Sequence, residues 1–270
     1  MAAVHASYYT DPACPWSWSI EPALRRLEVE FAGEVAFTYV LASIGELPPA
    51  AEFAGEWLDA SAASGMPVDP RMWLNGGGAR SSQPACLAVK AAAEQGDPGP
   101  YLRRLREGLA YEGRRLDHLD AFVTVARETP GLDAQRFGID AASHAIVELL
   151  GADIERGRAV APEHHAEGAG RVALPSLEFR GEDGTVHGVY GPEPYAAYRA
   201  AALAAGAQAG EGEAPSVEAA LGRWDRLATP EIAAACDLPG PRAAAELWRL
   251  AGEWRVRAER RLTGEVWSRT

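Results

Sequence analysis

Tyr8-Tyr9-Thr10-Asp11-Pro12-Ala13-Cys14-Pro15-Trp16-Ser17-Trp18 is the stretch whose reading decides the fold. Upstream of it, Val4, Ala6, Tyr8 and Tyr9 make an apolar, β-prone run that stops at the turn signal Asp11-Pro12. Downstream, Trp16, Ile20, Ala23, Leu24, Leu27 and Phe31 recur at helical spacing. Cys14 therefore stands where a strand hands over to a helix N-terminus. Unpaired backbone N–H groups and the helix dipole favour negative charge there. The thiol is expected to ionise more readily than a free one, and the thiolate is the reactive species. Pro15 suits the first helical position, having no N–H to leave unpaired. Ser17 stands where a Cys-x-x-Cys motif carries its second thiol.

Composition sets the bounds. The 270 residues are 47% apolar, enough for one large domain or a domain with a smaller companion. A net charge of −12 argues against a general binder of nucleic acid or anionic membrane. The N-terminus lacks a basic-then-apolar signal, and no apolar run is long enough to cross a bilayer, so a reducing cytoplasm is expected. Cys14, Cys86 and Cys236 are too few and too scattered for a disulfide framework and lack metal-ligand spacing.

Along the chain, residues 4–9 read as a strand, 15–31 as an amphipathic helix and 35–41 as a second strand, apolar enough for burial on both faces. This is a βαβ unit. Strand signal then vanishes. Segments near 50–62, 84–95, 99–112, 118–129 and 141–150 carry helical periodicity, an all-helical insertion over 46–167. Two alternating runs, 173–180 and 185–190, flank a Gly/Asp turn and predict a hairpin. A helix over 194–205 and a linker over 206–215 follow.

This order resembles a thioredoxin fold with an inserted helical domain, the layout of the DsbA superfamily. The residues that carry the likeness are Asp11 to Trp18, Leu174-Pro175-Ser176, Ser81-Ser82-Gln83-Pro84-Ala85 and Gly188-Val189-Tyr190-Gly191. It covers residues 4–205 and lies nearest the cytoplasmic FrnE-like and SpxH-like branch. The resemblance implies an α/β thioredoxin-like domain built from 1–45 and 168–206. It implies a cis bond before Pro175, beside the active cysteine. Leu174 then borders a substrate groove, which Pro15, Trp16, Trp18 and Ser82 are expected to adjoin. Cys86 is either a remote resolving thiol or a small apolar residue facing a helix core.

The departure from that family is Ser17. In dithiol relatives the second thiolate attacks the mixed disulfide, and a hydroxyl cannot. Ser17 can still donate a hydrogen bond to a Cys14 thiolate. A monothiol oxidoreductase follows, with Cys14 and Ser17 as its catalytic pair, a protein or small-molecule thiol as partner, and an external thiol such as glutathione or mycothiol. Two alternatives remain: a thiol-dependent double-bond isomerase, in which the thiolate adds to a conjugated bond and leaves again, and a non-catalytic SpxH-like adapter.

Residues 216–270 differ in charge, with nine arginines against eight acids. Thr229-Pro230-Glu231 reads as a capped helix start, Ala243 to Trp254 as a helix and Arg255 to Trp267 as a β wing, an order that resembles a winged helix. Glu246 and Glu253 offset Arg242 and Arg249, which argues against DNA. Packing on the main domain, or a homodimer through Trp248, Trp254 and Trp267, is the expectation. Trp57, Met66, Met72 and Trp73 read as ordinary core, with an apolar lid over the cleft as the alternative, and His164-His165 as a solvated helix end.

Overall fold

In the computed structural model, which describes residues 3–270, β1 (Val4–Thr10) and β2 (Val35–Leu41) run parallel, Val4 facing Val35 and Thr10 facing Leu41. The helix between them is two pieces, α1 (Pro15–Ser19) and α2 (Glu21–Glu30), broken at Ile20. Pro22 explains the break: without an N–H it belongs in the first turn of a new helix. On the far side of β1 comes β3 (Ser176–Arg180), antiparallel, followed by β4 (Val186–Tyr190), so the sheet order is β2-β1-β3-β4. The helix α10 (Tyr195–Ala204) joins α2 over one face, burying Val4, Tyr8, Leu27, Phe31, Phe179 and Tyr198 in one cluster. The burial expected on both faces of β2 holds only at Val40 and Leu41, because β2 is an edge strand.

From Ala50 to Ala159 the chain forms only helices: α3 (Ala50–Ser64), α4 (Arg71–Leu74), α5 (Gln83–Ala93), α6 (Gly99–Glu107), α7 (Leu119–Glu128), α8 (Ala134–Ala141) and α9 (His144–Ala159), with a wide turn at Gly108–Glu112 after α6. Ser143 separates α8 from α9 and caps the latter by accepting from Ala145 N–H. Near its end α9 presses on the chain just after β2. A Cβ at Gly157 would come 2.8 Å from that of Ala42, so only glycine fits this crossing. Trp57, Met66, Met72 and Trp73 are buried in the insertion's core. Among the described residues no helix is long and apolar enough to cross a membrane.

The last unit runs α11 (Val217–Trp224), β5 (Arg226–Ala228), α12 (Thr229–Ala235), α13 (Gly240–Gly252), β6 (Val256–Arg260) and β7 (Glu265–Arg269), with sheet order β5-β7-β6. That is the element order of a winged helix. Its wing is not free, however. Val68 N–H donates to Thr263 Oγ1 at 2.8 Å, and Ser61 Oγ bonds the same hydroxyl at 2.9 Å, seating the β6–β7 turn on the insertion. On α13, Arg249 is paired with Glu246 and Glu253.

One carboxylate locks this unit to the rest. Glu231, fully buried, accepts from Arg103 Nη1 and Nη2 at 2.5 and 2.8 Å, and from Ala228 N–H at 2.8 Å. It therefore caps α12 in place of Thr229, whose hydroxyl instead accepts from Trp267 Nε1 at 2.9 Å. The same Arg103 guanidinium lies 4.6 Å from the centre of the Trp18 ring and reaches Glu21, at the start of α2. Burial pushes the Glu21 carboxyl up, but Arg25, Arg103 and Arg106 outweigh it and hold it at about 2.

Two outcomes follow. Glu231→Ala removes two hydrogen bonds from buried Arg103, which keeps Glu21 and Glu107, and strips Ala228 N–H of its acceptor; the loss is about 1–3 kcal/mol, urea denaturation reads it, and a loss below about 1 kcal/mol would show that the clamp is dispensable. Glu21 titrates lower in the folded than in the unfolded chain, where a glutamate titrates near 4.3. Its contribution is complete above that pH and fades as pH falls towards 2. The thermal-stability margin of the native chain over Glu21→Gln therefore shrinks between about pH 5 and pH 2; a margin flat across that range would refute the assignment.

Candidate active site

At the end of β1 the chain turns on Asp11, whose Oδ1 accepts from Ala13 N–H at 2.7 Å. Cys14 follows as the N-cap of α1, in extended backbone, and its sulfur accepts from Ser17 N–H at 3.4 Å. The Ser17 side chain also acts to favour the thiolate. On the opposite side lies the Leu174 carbonyl, 3.9 Å from Sγ. The Leu174–Pro175 peptide is cis. These segments, 160 residues apart in sequence, meet because β1 and β3 pair antiparallel, with Tyr9 facing Ser176. Tyr9, Val40, Ala42, Val172 and Leu174 close an apolar shell around the thiol.

That shell reverses one expectation. Cys14 is only 4% exposed. Burial pushes its thiol up, the Ser17 side-chain and backbone hydrogen bonds pull it down, and Asp11 and Arg106 act in opposite directions. Burial prevails, so the resting thiol titrates above a free cysteine rather than below it. A helix of five residues has little dipole to set against that desolvation.

Asp11 is more than a turn residue. Its Oδ2 accepts from Ile44 N–H at 2.7 Å, from Ser82 Oγ at 2.6 Å and from Cys86 Sγ at 3.5 Å. The roles expected of Ser82 and Cys86 change accordingly. Ser82 is buried and faces Asp11, not a substrate. Cys86 is fully buried, and its thiol is pushed well up by burial and by the Asp11 charge. It serves as a hydrogen-bond donor inside the protein. All three cysteines are free.

The two tryptophans part company. Trp18 is fully buried and donates from Nε1 to the Pro67 carbonyl at 3.1 Å, so it fastens the insertion and does not line the groove. Trp16 is half-buried and lines an apolar groove of about 870 Å³ with Ile20, Pro192, Pro194 and Tyr195. The opposite wall of that groove comes from the C-terminal unit, through Ala233, Ala234, Leu238 and Pro239. Pro15, at the first position of α1, is buried.

Sequence reasoning missed Thr10 and Arg106, which lie directly behind the cysteine. Thr10 Oγ1 donates to Ser17 Oγ at 2.9 Å and accepts from Arg106 Nη2. A signal for Arg106 existed. It falls on the face of α6 shared by Leu102 and Leu105, where a charged residue needs a buried partner.

Residues 8–161 match the thioredoxin family. SpxH of Bacillus subtilis, a ClpXP adapter protein, is 25% identical over 266 residues, covering 96% of this chain and 87% of that one. SpxH of Halalkalibacterium halodurans is 29% identical over 160 residues, 54% of this chain and about half, 52%, of that protein's length. A candidate protein disulfide isomerase from Nitrosomonas europaea superposes with a TM-score of 0.61 at 18% identity, over 74% of this chain and 96% of that chain, and so shares its fold. The family match spans more than half of the chain and includes the cysteine turn, β2 and the helical insertion. On these grounds the chain belongs to the thioredoxin family.

Proposed function

We propose that the chain is a DsbA-like monothiol thiol–disulfide oxidoreductase with Cys14 as its nucleophile. The observation that carries this reading is the Ser17 backbone N–H on Cys14 Sγ at 3.4 Å, with the Ser17 side chain also acting to favour the thiolate. They occupy the position where a dithiol enzyme keeps its second sulfur, and they stabilise a thiolate without being able to attack a disulfide. Once deprotonated, Cys14 attacks one sulfur of a substrate disulfide. The old S–S bond breaks, and the departing thiolate takes a proton from water. The mixed disulfide on Cys14 then waits for an external thiolate, such as that of glutathione or mycothiol. That thiolate attacks the partner sulfur, restores the Cys14 thiolate and leaves the two external sulfurs joined.

A second reading, adapter function, is favoured by a different observation. The likeness to B. subtilis SpxH runs through the C-terminal unit, which supplies one wall of the apolar groove beside Trp16. As an adapter the chain would hold a polypeptide in that groove, and Cys14 would be dispensable.

Incubation with oxidised glutathione followed by intact-mass measurement is expected to show one adduct per chain, on Cys14, removable by reduced glutathione and absent from Cys14→Ser. An internal Cys14–Cys86 disulfide in its place would overturn the monothiol reading. Because burial raises the Cys14 thiol, its alkylation by iodoacetamide should reach half-maximum at a higher pH in the folded chain than in urea. The opposite order would mean that the Ser17 hydrogen bonds outweigh desolvation at rest. Binding of a protein partner that survives Cys14→Ala, with no glutathione adduct in the native chain, would favour the adapter instead.

A further inference from the structure

We infer that the free edge of β4 is where two copies of this chain pair, strand against strand and antiparallel about Gly188, into one continuous sheet. This pairing is independent of how Cys14 is used. β4 is the outermost strand of its sheet. Successive residues of a strand turn their backbone N–H and C=O to opposite sides, and the hydrogen bonds fix which residues of β4 turn outward. Val4 N–H donates to Glu34 O at 3.0 Å and Ala42 N–H to Thr10 O at 3.1 Å, so Val4 and Thr10 face β2. His5, Ser7 and Tyr9 therefore face β3, opposite Arg180, Glu178 and Ser176. That leaves Phe179 and Leu177 to bond β4, at His187 and Val189. The bond from Gly181 N–H to Thr185 O in the turn has the same parity. Val186, Gly188 and Tyr190 accordingly present their N–H and C=O groups away from the sheet, and among the described residues nothing else bonds them.

Sheet edges are commonly guarded by a charge, a proline or a bulge. Val186-His187-Gly188-Val189-Tyr190 contains no lysine, arginine, acid or proline, and it pairs with β3 residue for residue. The opposite edge, β2, is met by α9, where Asp153 Oδ2 accepts from Leu41 N–H at 2.9 Å. Along β4 there is instead a hollow of about 700 Å³, lined by Val186, Gly188 and Tyr190 and by Ala197, Ala200 and Ala204 of α10. Charge and shape select a second copy as its occupant. With a net charge of −12, two copies repel one another over most of their surface. β4 and α10 contain no acid, and the one charged side chain of α10, Arg199, is paired with Glu30. A two-fold axis at Gly188 sets that residue against its own copy and Val186 against Tyr190 of the partner subunit, so outward backbone groups meet outward ones. Joined edges bring α10 beside its copy, at the roughly 8–10 Å of packed helices. Small side chains suit that approach, and the flank on offer is Ala197, Ala200 and Ala204. A lone peptide strand on β4 would leave this flank bare. The strip is about 17 Å long, small beside the roughly 800 Å² per partner of a standard interface, so the dimer is expected to dissociate on dilution.

The test is sedimentation velocity of the full chain under reducing conditions over a dilution series, read together with site-resolved amide exchange. The mass should rise from one chain towards two with concentration, and the amides of Val186, Gly188 and Tyr190 should exchange more slowly as it does. Val186→Pro removes an outward N–H that β3 does not use. Lost once on each side of the axis, that bond should weaken dimerisation about tenfold or more. Ala200→Glu sets like charges against each other across the axis and should weaken it at least as much, roughly tenfold. If Val186→Pro does not fold, Ala200→Glu decides, since Ala200 is exposed on its helix. A chain that stays monomeric at every concentration would overturn the pairing. A dimer of unchanged strength in the folded variants would also overturn it and place the contact elsewhere, as on the exposed Trp248 and Trp254. Protection of the three amides in a chain that stays monomeric, brought about by an added extended peptide, would assign the edge to a foreign strand and refute the second copy.

Discussion

A carboxylate removed from water must be surrounded by donors, and the Asp11 carboxylate sets the geometry on which the rest of the site depends. Its four donors come from three separate segments. Ala13 N–H belongs to the turn that carries Cys14, Ile44 N–H to the chain leaving β2, and Ser82 and Cys86 to the start of α5 in the insertion. One side chain therefore holds the cysteine turn, the sheet and the helical insertion in register. It also decides the chemistry by elimination. The hydroxyl and the thiol that the insertion brings close are both committed to Asp11, which leaves Cys14 with Ser17 and the Leu174 carbonyl as its polar neighbours.

A second layer of buried charge lies behind the first. Glu21, Arg103, Arg106 and Glu231 join α2, α6 and α12, and their pairing is nearly complete. Buried ion pairs add little net stability, because desolvation consumes most of the Coulombic gain. What they do impose is geometry, since any displacement strands a charge. In this chain the geometry imposed is the seat of the C-terminal unit. With its wing bonded at Thr263 and its Glu231 clamped by Arg103, that unit is placed as a wall of the groove beside Trp16. Its winged-helix element order persists, while the surface that such a module uses to reach a duplex is partly spent on internal contacts.

Much of this was legible in the residues. The strand, Cys14 cap and Pro15 helix start lie within a dozen positions, where periodicity and turn chemistry act. The extent of β2 and the hairpin at 176–190 were legible for the same reason. The two-piece helix around Ile20 was not, because a break of one residue leaves the helical period almost intact; α8 was not either, since it buries Phe137 alone and carries Gly138. Trp16 and Trp18 look interchangeable in sequence. Which of them faces a groove depends on the Pro67 carbonyl, nearly fifty residues away. Ser82 likewise reads as a neighbour of the substrate groove, and its burial against Asp11 is a tertiary contact.

By itself, then, the sequence determined the element order, the thioredoxin-like arrangement and the absence of a second thiol at position 17, since all three follow from local pattern and residue identity. Tertiary structure alone decided how the thiol behaves. The Leu174 carbonyl, the apolar shell, Asp11 and Arg106 reach Cys14 only through strand pairing and helix packing. Ionisation depends on desolvation and on charges within a few ångströms, whatever their distance along the chain. A cysteine that reads as activated from its place at a helix start is therefore, in the folded protein, a buried thiol whose ionisation desolvation opposes more than Ser17 assists.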